Sequence, residues 1–375
     1  MSGCATLYSV VSSAFTLEEA TEWPHLLATF RAAAKGKRNK DEVAGFEVHM
    51  ADGLLALQAE LRARRYHPGP YRTFVVHEAK RRKITAAPFR DRVVHHALVR
   101  AMEPTLEAGF SDGSFANRTG RGTHRAIERF QALSARYSYV LRMDIVKYFP
   151  SIDHALLKAY LHQRFTDDGV RWLLDVIIDS GAHLEAKMPA WLSGDGLFDG
   201  VRPRGLPFGN LTSQIWSNAM LDPIDQLVTR QLGHTAYVRY VDDLAVFSNS
   251  KRRLWSIKSA IQDGLRSLRL RCHERQAQVM TTAAGVPWLG FVVWPDRRRV
   301  KARKVRHFTR RFRSQWAAYE DGRLSFAELD ASVRGFLTHI DQADARGWVQ
   351  HVMGFWPANE PRSGWRPKML RGDVV

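Results

Sequence analysis

Cysteine is scarce in this chain. Of 375 residues only two are cysteine, Cys4 and Cys272, and neither belongs to a CxxC pair or to a His-spaced cluster. This scarcity excludes a disulfide framework and gives no support to a structural zinc site. It is typical of proteins that work in a reducing compartment, and we predict a cytoplasmic location.

Long apolar runs are also missing. No uninterrupted apolar stretch approaches the roughly 20 residues that a membrane-spanning helix needs, and no Lys or Arg precedes Arg31 to form the charged start of a signal peptide. We therefore expect neither secretion nor a membrane partner. Internal repeats and low-complexity tracts are absent from the sequence as well, which excludes solenoids and repeat arrays.

Acidic residues are too few to balance the basic ones. Lys and Arg number 56 against 38 Asp and Glu, so the formal net charge is +18 at pH 7. An excess of this size attracts polyanions, because neutralised phosphates release condensed counterions. Nucleic acid is the leading candidate partner, and a surface that merely happens to be basic is the alternative. The hydrophobic fraction of 45% is ordinary, so we expect a folded chain of two or three domains.

Apolar periodicity predicts a mixture of helices and strands. Helical spacing predicts one helix from Asp41 to about Arg65. Other helices are predicted at 88–102, 154–165, 210–232 (with Asn210 as the cap), 251–268 and within the last seventy residues. Strands are predicted at 71–77, 138–143, around 237–247, 268–272 and 286–294, and the Gly- and Pro-rich residues 183–204 predict a loop.

Two adjacent acids lie in the tetrapeptide Tyr240-Val241-Asp242-Asp243, between two predicted strands. Neighbouring carboxylates at a hairpin tip repel each other, and a multivalent cation is the usual compensation. A plain Asp-containing hairpin turn is the alternative. Because successive strand side chains face opposite sides, only one acid can point fully at a metal, and we predict Asp242.

A third acid, Asp144, ends a predicted strand far upstream. If Asp144 and Asp242 meet on neighbouring strands, they would hold two Mg²⁺ about 4 Å apart, which is a geometry for phosphoryl transfer. One ion would activate a 3′-hydroxyl, and the other would bind a triphosphate and stabilise the leaving pyrophosphate.

Several motifs occur together in a fixed order along the chain. They are Asp144 with Phe149, the run Gly-Leu-Pro-Phe-Gly-Asn-Leu-Thr-Ser-Gln at 205–214, and the Tyr-Val-Asp-Asp turn. This set resembles the palm of reverse transcriptases in order and spacing. Residues 82–92 and 114–120 look like the fingers motifs of the same enzymes, and Trp-Leu-Gly-Phe at 288–291 resembles their primer-grip hairpin.

The resemblance covers roughly residues 70–300 and implies an RNA-directed DNA polymerase. It implies an α+β fold of the right-hand polymerase type, with fingers, a palm built on an antiparallel sheet, and a helical thumb. The implied segments are a helical extension at 1–70, fingers at 71–135, a palm with the primer-grip region at 136–300, and a basic helical thumb and tail at 301–375.

The resemblance also implies roles for single residues. The implied catalytic acids are Asp144, Asp242 and Asp243, which together with Ile145 are the implied ligands of two Mg²⁺, with Mn²⁺ able to substitute. Phe149 is implied to lie under the incoming sugar and to favour dNTPs, with core packing as the alternative.

Further roles concern the triphosphate and the nucleic acid. Arg82 and Arg118 are implied to clamp the triphosphate, with Arg81 and Lys83 as competitors. Gly209 lets backbone approach the nucleotide closely, beside Phe208. The residues predicted to contact nucleic acid are Ser213, Gln214, Trp288, Gly290, Arg303, Arg306 and Arg310.

Within the family, Gly-Asn-Leu-Thr-Ser-Gln at 209–214 most resembles the reverse transcriptases of diversity-generating retroelements, which are related to group II intron and retron enzymes. Most reverse transcriptases have Gln before this Gly and Pro after this Ser, where the chain has Phe208 and Gln214. Ile, Leu or Val is expected at 208 in that group, so Phe is a bulkier departure.

The subfamily resemblance implies error-prone cDNA synthesis. The implied partners are a template RNA, cDNA, the RNA–DNA hybrid, dNTPs and a small basic accessory protein. A defence-associated or retron-like reverse transcriptase is one alternative. A degenerate polymerase domain that only binds RNA is another.

Overall fold

A computed structural model describes residues 12–77, 81–182, 184, 201–341 and 343 of the chain. Its helices are α1 (Leu17–Ala20), α2 (Trp23–Ala34), α3 (Asp41–Val48), α4 (Met50–Arg62), α5 (Phe89–Gly109), α6 (Thr123–Arg136), α7 (Tyr148–Ser151), α8 (His154–His162), α9 (Asp168–Ser180), α10 (Leu211–Gln226), α11 (Lys251–Ser267), α12 (Ala302–Glu320) and α13 (Phe326–Ile340). Its strands are β1 (Arg72–His77), β2 (Arg81–Ala86), β3 (Tyr139–Asp144), β4 (Tyr237–Tyr240), β5 (Asp243–Ser248), β6 (Gln278–Thr281), β7 (Val286–Trp288), β8 (Phe291–Val293) and β9 (Arg298–Val300).

The described strands form three separate sheets. Strands β1 and β2 make an antiparallel ribbon in which Arg72 lies opposite Ala86. The largest sheet has the strand order β4–β5–β3–β6, and β7, β8 and β9 form an antiparallel meander. Helices together with antiparallel pairs of this kind confirm the prediction of a mixed α+β architecture.

The chain divides into two compact units. The first comprises residues 1–122, 142–245 and 255–278, and the second comprises residues 123–141, 246–254 and 279–375. Each unit has its own buried residues, as expected for chain segments long enough to enclose a core.

Helix α10 lies deep inside the first unit. Every residue from Thr212 to Gln226 is buried except Gln214 and Pro223. A helix enclosed in this way offers its polar side chains almost no water, so they need partners within the protein. Asn210 occupies the position before this helix, but its side chain makes no capping bond there. The predicted cap is therefore wrong in its chemistry, because Asn210 Oδ1 accepts instead from the Ala87 N–H at 3.0 Å.

Two helices pack face to face in the second unit. Helix α12 buries one stripe against α13, and Ser325 begins α13 with a capping box to Glu328. The buried residues of this cluster are Phe308, Phe312, Trp316, Leu329, Val333, Phe336 and Ile340. The basic side chains of α12 at 303, 306 and 310 lie on its exposed face. These helices confirm the helical prediction for the described part of the C-terminal region, and residues 342 and 344–375 lie outside it.

Three sequence predictions of secondary structure are wrong. The strand predicted at 286–294 is two antiparallel strands, β7 and β8, with a turn at 289–290 between them. The helix predicted from residue 41 to 65 is two helices, α3 and α4, because the backbone of His49 leaves the helical region with ψ of 32°. The break brings the Phe46 ring against Gly53, where a Cβ atom would meet it at 2.9 Å. The strand predicted at 268–272 is only a single bridge at Cys272.

The loop prediction for residues 183–204 falls mostly on residues 183 and 185–200, which lie outside the described residues. Among the described helices, none is both long and apolar enough to cross a membrane.

Candidate active site

The end of strand β3 lies beside the start of strand β5. Near one end of the pair, the Ser138 N–H donates to Asn249 Oδ1 at 2.9 Å. Near the other end, Arg142 Nη2 donates to Asp243 Oδ1 at 3.1 Å. The strands must run antiparallel, because later residues of β3 meet earlier residues of β5. Asp144, the last residue of β3, therefore lies at the same edge of the sheet as the β4–β5 turn.

The two acids of that turn have different surroundings. The Asp243 carboxylate forms a partly exposed ion pair with Arg142. Burial raises the pKa of the Tyr148 hydroxyl well above its ordinary value, and the Asp242 carboxylate adds to this effect from nearby. Tyr148 is the fourth residue after Asp144. Asp242 therefore lies close to the chain segment that begins at Asp144. The prediction that Asp242 is the acid that faces a metal stays a prediction with this geometry in its favour.

The backbone carbonyl of Ile145 points away from the chain segment that precedes β6. The Val146 N–H donates to Arg271 O, and the His273 N–H donates to Asp144 O, each at 2.8 Å. Ile145 lies between these two bonds, so its own N–H and carbonyl face the other side of the strand. That side is the one on which β5 lies.

The oxygen donors at this edge fit a divalent cation of the magnesium type. Such an ion is held through one or two carboxylates and completes its coordination with water and substrate phosphates. Asp144 and Asp242 provide carboxylates, and the Ile145 carbonyl provides a neutral oxygen. No three His, Cys, Asp or Glu side chains within the described ranges form a ready-made metal cluster.

Residues 205–210 form a loop that joins two other parts of the first unit. The Leu206 N–H donates to Phe149 O at 3.0 Å, and the Thr85 N–H donates to Phe208 O at 2.8 Å. The Asn210 side chain makes a further bond to Thr85, in which Nδ2 donates to Thr85 O at 3.1 Å. The loop therefore connects strand β2 to the segment that follows Asp144.

Aromatic rings line this junction. The half-buried Phe149 ring meets the Phe208 ring edge to face, with centroids 5.1 Å apart. On another side it contacts the Tyr148 ring at 5.7 Å. The Tyr148 hydroxyl donates to Ser217 O on α10. Phe149 is therefore held by aromatic neighbours within the segment that follows Asp144.

Gly209 is required at its position for two reasons. Its φ is +116°, where side chains other than hydrogen are strained, and a Cβ atom would meet Ile84 Cγ2 at 2.7 Å. The backbone at this point thus lies directly against strand β2, as a closely packed loop demands.

The two predicted triphosphate-binding arginines stand in different situations. Arg82 belongs to β2, the strand that contacts the 205–210 loop, and its side chain lies outside the described part of the structure. Arg118 has a side chain only 5% exposed, and its Nε pairs with Glu107 Oε2 at 2.7 Å. Its Nη1 donates to Ser111 O at 2.6 Å and to Ser114 O at 3.0 Å. Arg118 thus holds the loop around it, and its contact with a triphosphate stays a prediction.

The first residues of α10 open onto a cleft. Ser213 is buried, whereas Gln214 is exposed. Gln214 lines a cleft of about 470 Å³ together with Arg100, Asn117 and Thr119. These donors and acceptors suit a polar ligand, and the predicted contact of Gln214 with nucleic acid has room to form here.

The remaining predicted nucleic-acid contacts lie in the second unit. Trp288 is fully buried and stacks on Phe130 with centroids 4.5 Å apart. Trp288 therefore supports the turn at 289–290 from within the core, and its buried ring is not accessible to nucleic acid. Of the two residues, only Gly290 keeps the predicted contact with nucleic acid. The exposed arginines of α12 at 303, 306 and 310 point away from the α12–α13 core.

The sequence pattern of one family fits this set of residues. The profile of the family described as "Reverse transcriptase (RNA-dependent DNA polymerase)" matches residues 76–293, more than half of the chain. The chain belongs to the reverse transcriptase family. Protein YkfC of Escherichia coli (strain K12) is 28% identical over 225 residues, which cover 58% of this chain and 53% of YkfC. The chain thus spans about half the length of this curated relative.

The reverse transcriptase region also contains a buried ion pair that the sequence reasoning missed. Arg239 Nη2 and Asp225 Oδ2 lie 2.6 Å apart, and both side chains are 0% exposed. The available signal was a charged residue within the apolar run of β4 and an acid within the enclosed helix α10. Buried charges have to be paired, so each of them called for a partner.

Proposed function

We propose that the chain is an RNA-directed DNA polymerase that extends a primer with dNTPs on an RNA template. The observation that carries the proposal is the meeting of Asp144 with the Asp242 turn at one sheet edge, beside Phe149 and the 205–210 loop. A nucleotidyl transfer site needs carboxylates to hold its metal ions. Phe149 is the proposed floor for the sugar, and the 205–210 loop is the proposed backbone beside the base pair.

The carboxylates of Asp144 and Asp242 and the Ile145 carbonyl are the proposed holders of two Mg²⁺, with Asp243 as a further acid. When bound, such ions supply activation of the primer 3′-hydroxyl and charge neutralisation at the departing pyrophosphate. Arg142, paired with Asp243 at 3.1 Å, keeps that carboxylate oriented. Arg82 and Arg118 remain the proposed contacts of the triphosphate.

The right-hand arrangement is part of the proposal. Residues 71–135 would form the fingers, residues 136–300 the palm with its primer-grip region, and residues 301–375 the thumb and tail, after a helical extension at 1–70. The exposed arginines of α12 support a thumb role, because phosphates are bound by basic side chains that water can reach.

Sugar selection is assigned to Phe149. Its ring is half-buried and is contacted by Tyr148 and Phe208, so it is not free to move aside. A fixed ring under the sugar would collide with a 2′-hydroxyl and favour dNTPs over rNTPs.

Error-prone synthesis in a diversity-generating retroelement is the proposed role. It is supported by Phe208, which replaces the side chain amide of most reverse transcriptases with a ring that has no donor or acceptor. Base-pair checking would then depend on shape alone. Misincorporation measured for wild type and Phe208→Gln tests this, because the glutamine variant should make fewer errors. Equal error rates in the two proteins would refute the proposal that Phe208 lowers fidelity.

Primer extension on an RNA template tests the activity itself. Wild type should extend the primer in Mg²⁺ or Mn²⁺, and Asp242→Asn should lose about three orders of magnitude or more in rate. Asp263→Asn is the matched control, since Asp263 is an exposed acid on α11 whose contact is with Arg266. Extension by Asp242→Asn at the wild-type rate would leave only an RNA-binding role.

Sequencing the cDNA made from co-purified RNA distinguishes the biological roles. A repeat-containing template and substitutions concentrated at one template base would support the diversity-generating role, with a small basic accessory protein as partner. A structured non-coding RNA copied faithfully would indicate the retron-like or defence-associated alternative.

A further inference from the structure

The turn that carries Asp242 contains a strained residue. Val241 has φ of 55°, a left-handed conformation that β-branched residues rarely adopt. Such a conformation persists only where surrounding contacts hold it in place. Contacts of the Val241 backbone therefore help to hold the turn on which the neighbouring carboxylate lies.

The contact that holds Val241 comes from Arg239. Arg239 Nη1 donates to Val241 O at 3.0 Å and to Asn218 Oδ1 at 3.2 Å. Its Nε and Nη2 donate to the two oxygens of Asp225 at 2.7 and 2.6 Å, and Nη2 reaches Asn218 O at 3.5 Å. Every N–H direction of the guanidinium thus has an acceptor, and the side chain is fully buried.

Helix α10 anchors both acid-bearing segments. Asn218 and Asp225, which hold Arg239, belong to it, and Ser217 accepts from the hydroxyl of Tyr148. Tyr148 lies shortly after Asp144, and Val241 lies directly before Asp242. One enclosed helix therefore contacts both chain segments that carry the two acids.

We propose that Arg239 is a positioning residue for divalent-cation binding: it holds the Val241 carbonyl to α10 and so keeps the Asp242 carboxylate beside Asp144. This inference rests on the proposed function, because it takes these carboxylates as the cation ligands. Because Asp225 neutralises the charge of Arg239, the guanidinium holds the turn through the directions of its hydrogen bonds and not through its charge. Lysine has one nitrogen and cannot reach Asp225, Asn218 and Val241 together.

Mn²⁺ binding to the full chain, measured by electron paramagnetic resonance without nucleic acid or dNTP, tests the proposal. Arg239→Lys should weaken Mn²⁺ affinity by about tenfold or more, the scale on which residues behind metal ligands act. Tyr237→Phe is the matched control, because the Tyr237 hydroxyl donates to the same Asp225 oxygen at 2.7 Å without touching Val241. It should lower the unfolding temperature and leave Mn²⁺ affinity within about twofold of wild type.

A second substitution separates positioning from general damage. Glycine adopts positive φ without strain. In Val241→Gly the turn should therefore keep its conformation without the bond from Arg239 to the carbonyl of residue 241. The double variant Arg239→Lys/Val241→Gly should regain most of the Mn²⁺ affinity that Arg239→Lys loses. No recovery, or an affinity loss in Tyr237→Phe equal to that in Arg239→Lys, would assign Arg239 a purely structural role and overturn the proposal.

Asn218→Ala covers the case in which Arg239→Lys does not fold. It removes the Asn218 Oδ1 acceptor of Arg239 Nη1 but keeps the Asp225 pair, and about a threefold loss of Mn²⁺ affinity is expected. No loss would overturn the inference. Equal binding by wild type and a folded Arg239→Lys would refute the inference alone, whereas a wild type that binds no Mn²⁺ would refute the proposed function with it.

Discussion

The rings of Phe149 and Phe208 meet edge to face, with centroids 5.1 Å apart and planes at 74°. The first residue follows Asp144 and the second precedes Gly209, so they belong to two different segments of the proposed nucleotide site. This contact links the residue assigned to sugar selection to the residue on which the proposal of error-prone synthesis depends. A substitution of one ring is therefore expected to change the effect of a substitution of the other.

Phe149→Ala should admit ribonucleotides. Removing the ring removes the collision with a 2′-hydroxyl, and we expect the preference for dNTP over rNTP to fall at least about tenfold, or about 1.4 kcal/mol. Single-nucleotide incorporation kinetics with dCTP and CTP measure the preference.

Phe208→Ala should lower the same preference to a smaller extent, because it frees the Phe149 ring without removing it. A double-mutant cycle between the two positions should give a coupling of about 0.5–1.5 kcal/mol. Additive effects would show that the rings act independently.

Gly209→Ala should destabilise the first unit and raise KM for dNTPs. The new Cβ would be strained at φ +116° and would meet Ile84 Cγ2 at 2.7 Å. Gly36→Ala is the control, since Gly36 also has positive φ, +69°, but has open space around it. Thermal unfolding should show a loss for Gly209→Ala larger than the control's by about 1 kcal/mol or more. Ile84→Ala should recover part of the loss, and failure to do so would argue against the clash.

The buried His95 should make the fold sensitive to acid. Burial lowers the pKa of His95 to about 3, with smaller contributions from His96 and Arg92. Its ring nitrogens have no hydrogen-bond partner among the described residues. Because the unfolded chain takes up a proton near pH 6.5 and the folded chain does not, stability should fall as pH drops from about 6.5 toward 3.

Two substitutions at this position separate titration from the unpaired polar ring. His95→Leu should flatten this part of the stability–pH profile and leave the protein equally stable or about 1–2 kcal/mol more stable at neutral pH. His95→Gln should also flatten it, but without the gain, because a polar group stays buried. Urea unfolding at pH 5 and pH 7.5 measures both. An unchanged pH dependence of stability in both variants would show that His95 is not the cause of the acid sensitivity.

The exposed face of α12 should bind nucleic acid through charge. Replacing its arginines at 303, 306 and 310 with Gln should weaken binding of an RNA–DNA hybrid and lower the slope of log K against log salt by about 2–3. Fluorescence anisotropy between 50 and 200 mM salt, about the range over which phosphate contacts dominate, measures this. The control replaces three other exposed cations, Lys35, Arg64 and Arg65, and should change the slope less. Equal changes would indicate a general charge effect.

Sequence periodicity was sufficient for most elements of the fold. The helix over α10 and the strands around Asp144 and Asp242 follow from apolar spacing and from the turn residues between them, which act over a few neighbouring residues. The α3–α4 break at His49 could not be predicted in this way, because the contacts that accompany it join Phe46 to Gly53 and to the rings of Phe30 and Phe89. Such contacts have no signature within a short window.

The amino-acid sequence by itself determined the family, the basic charge and the acids that carry the proposed chemistry, since each depends on residue type and spacing along the chain. Only the tertiary structure decided which contacts surround the proposed site: the Asp225–Arg239–Val241 contacts, the Phe149–Phe208 ring pair and the bonds between β2 and the 205–210 loop. The physical reason is burial. Polar groups removed from water take whichever partners the packed chain brings within reach, and residues remote in sequence provide most of them.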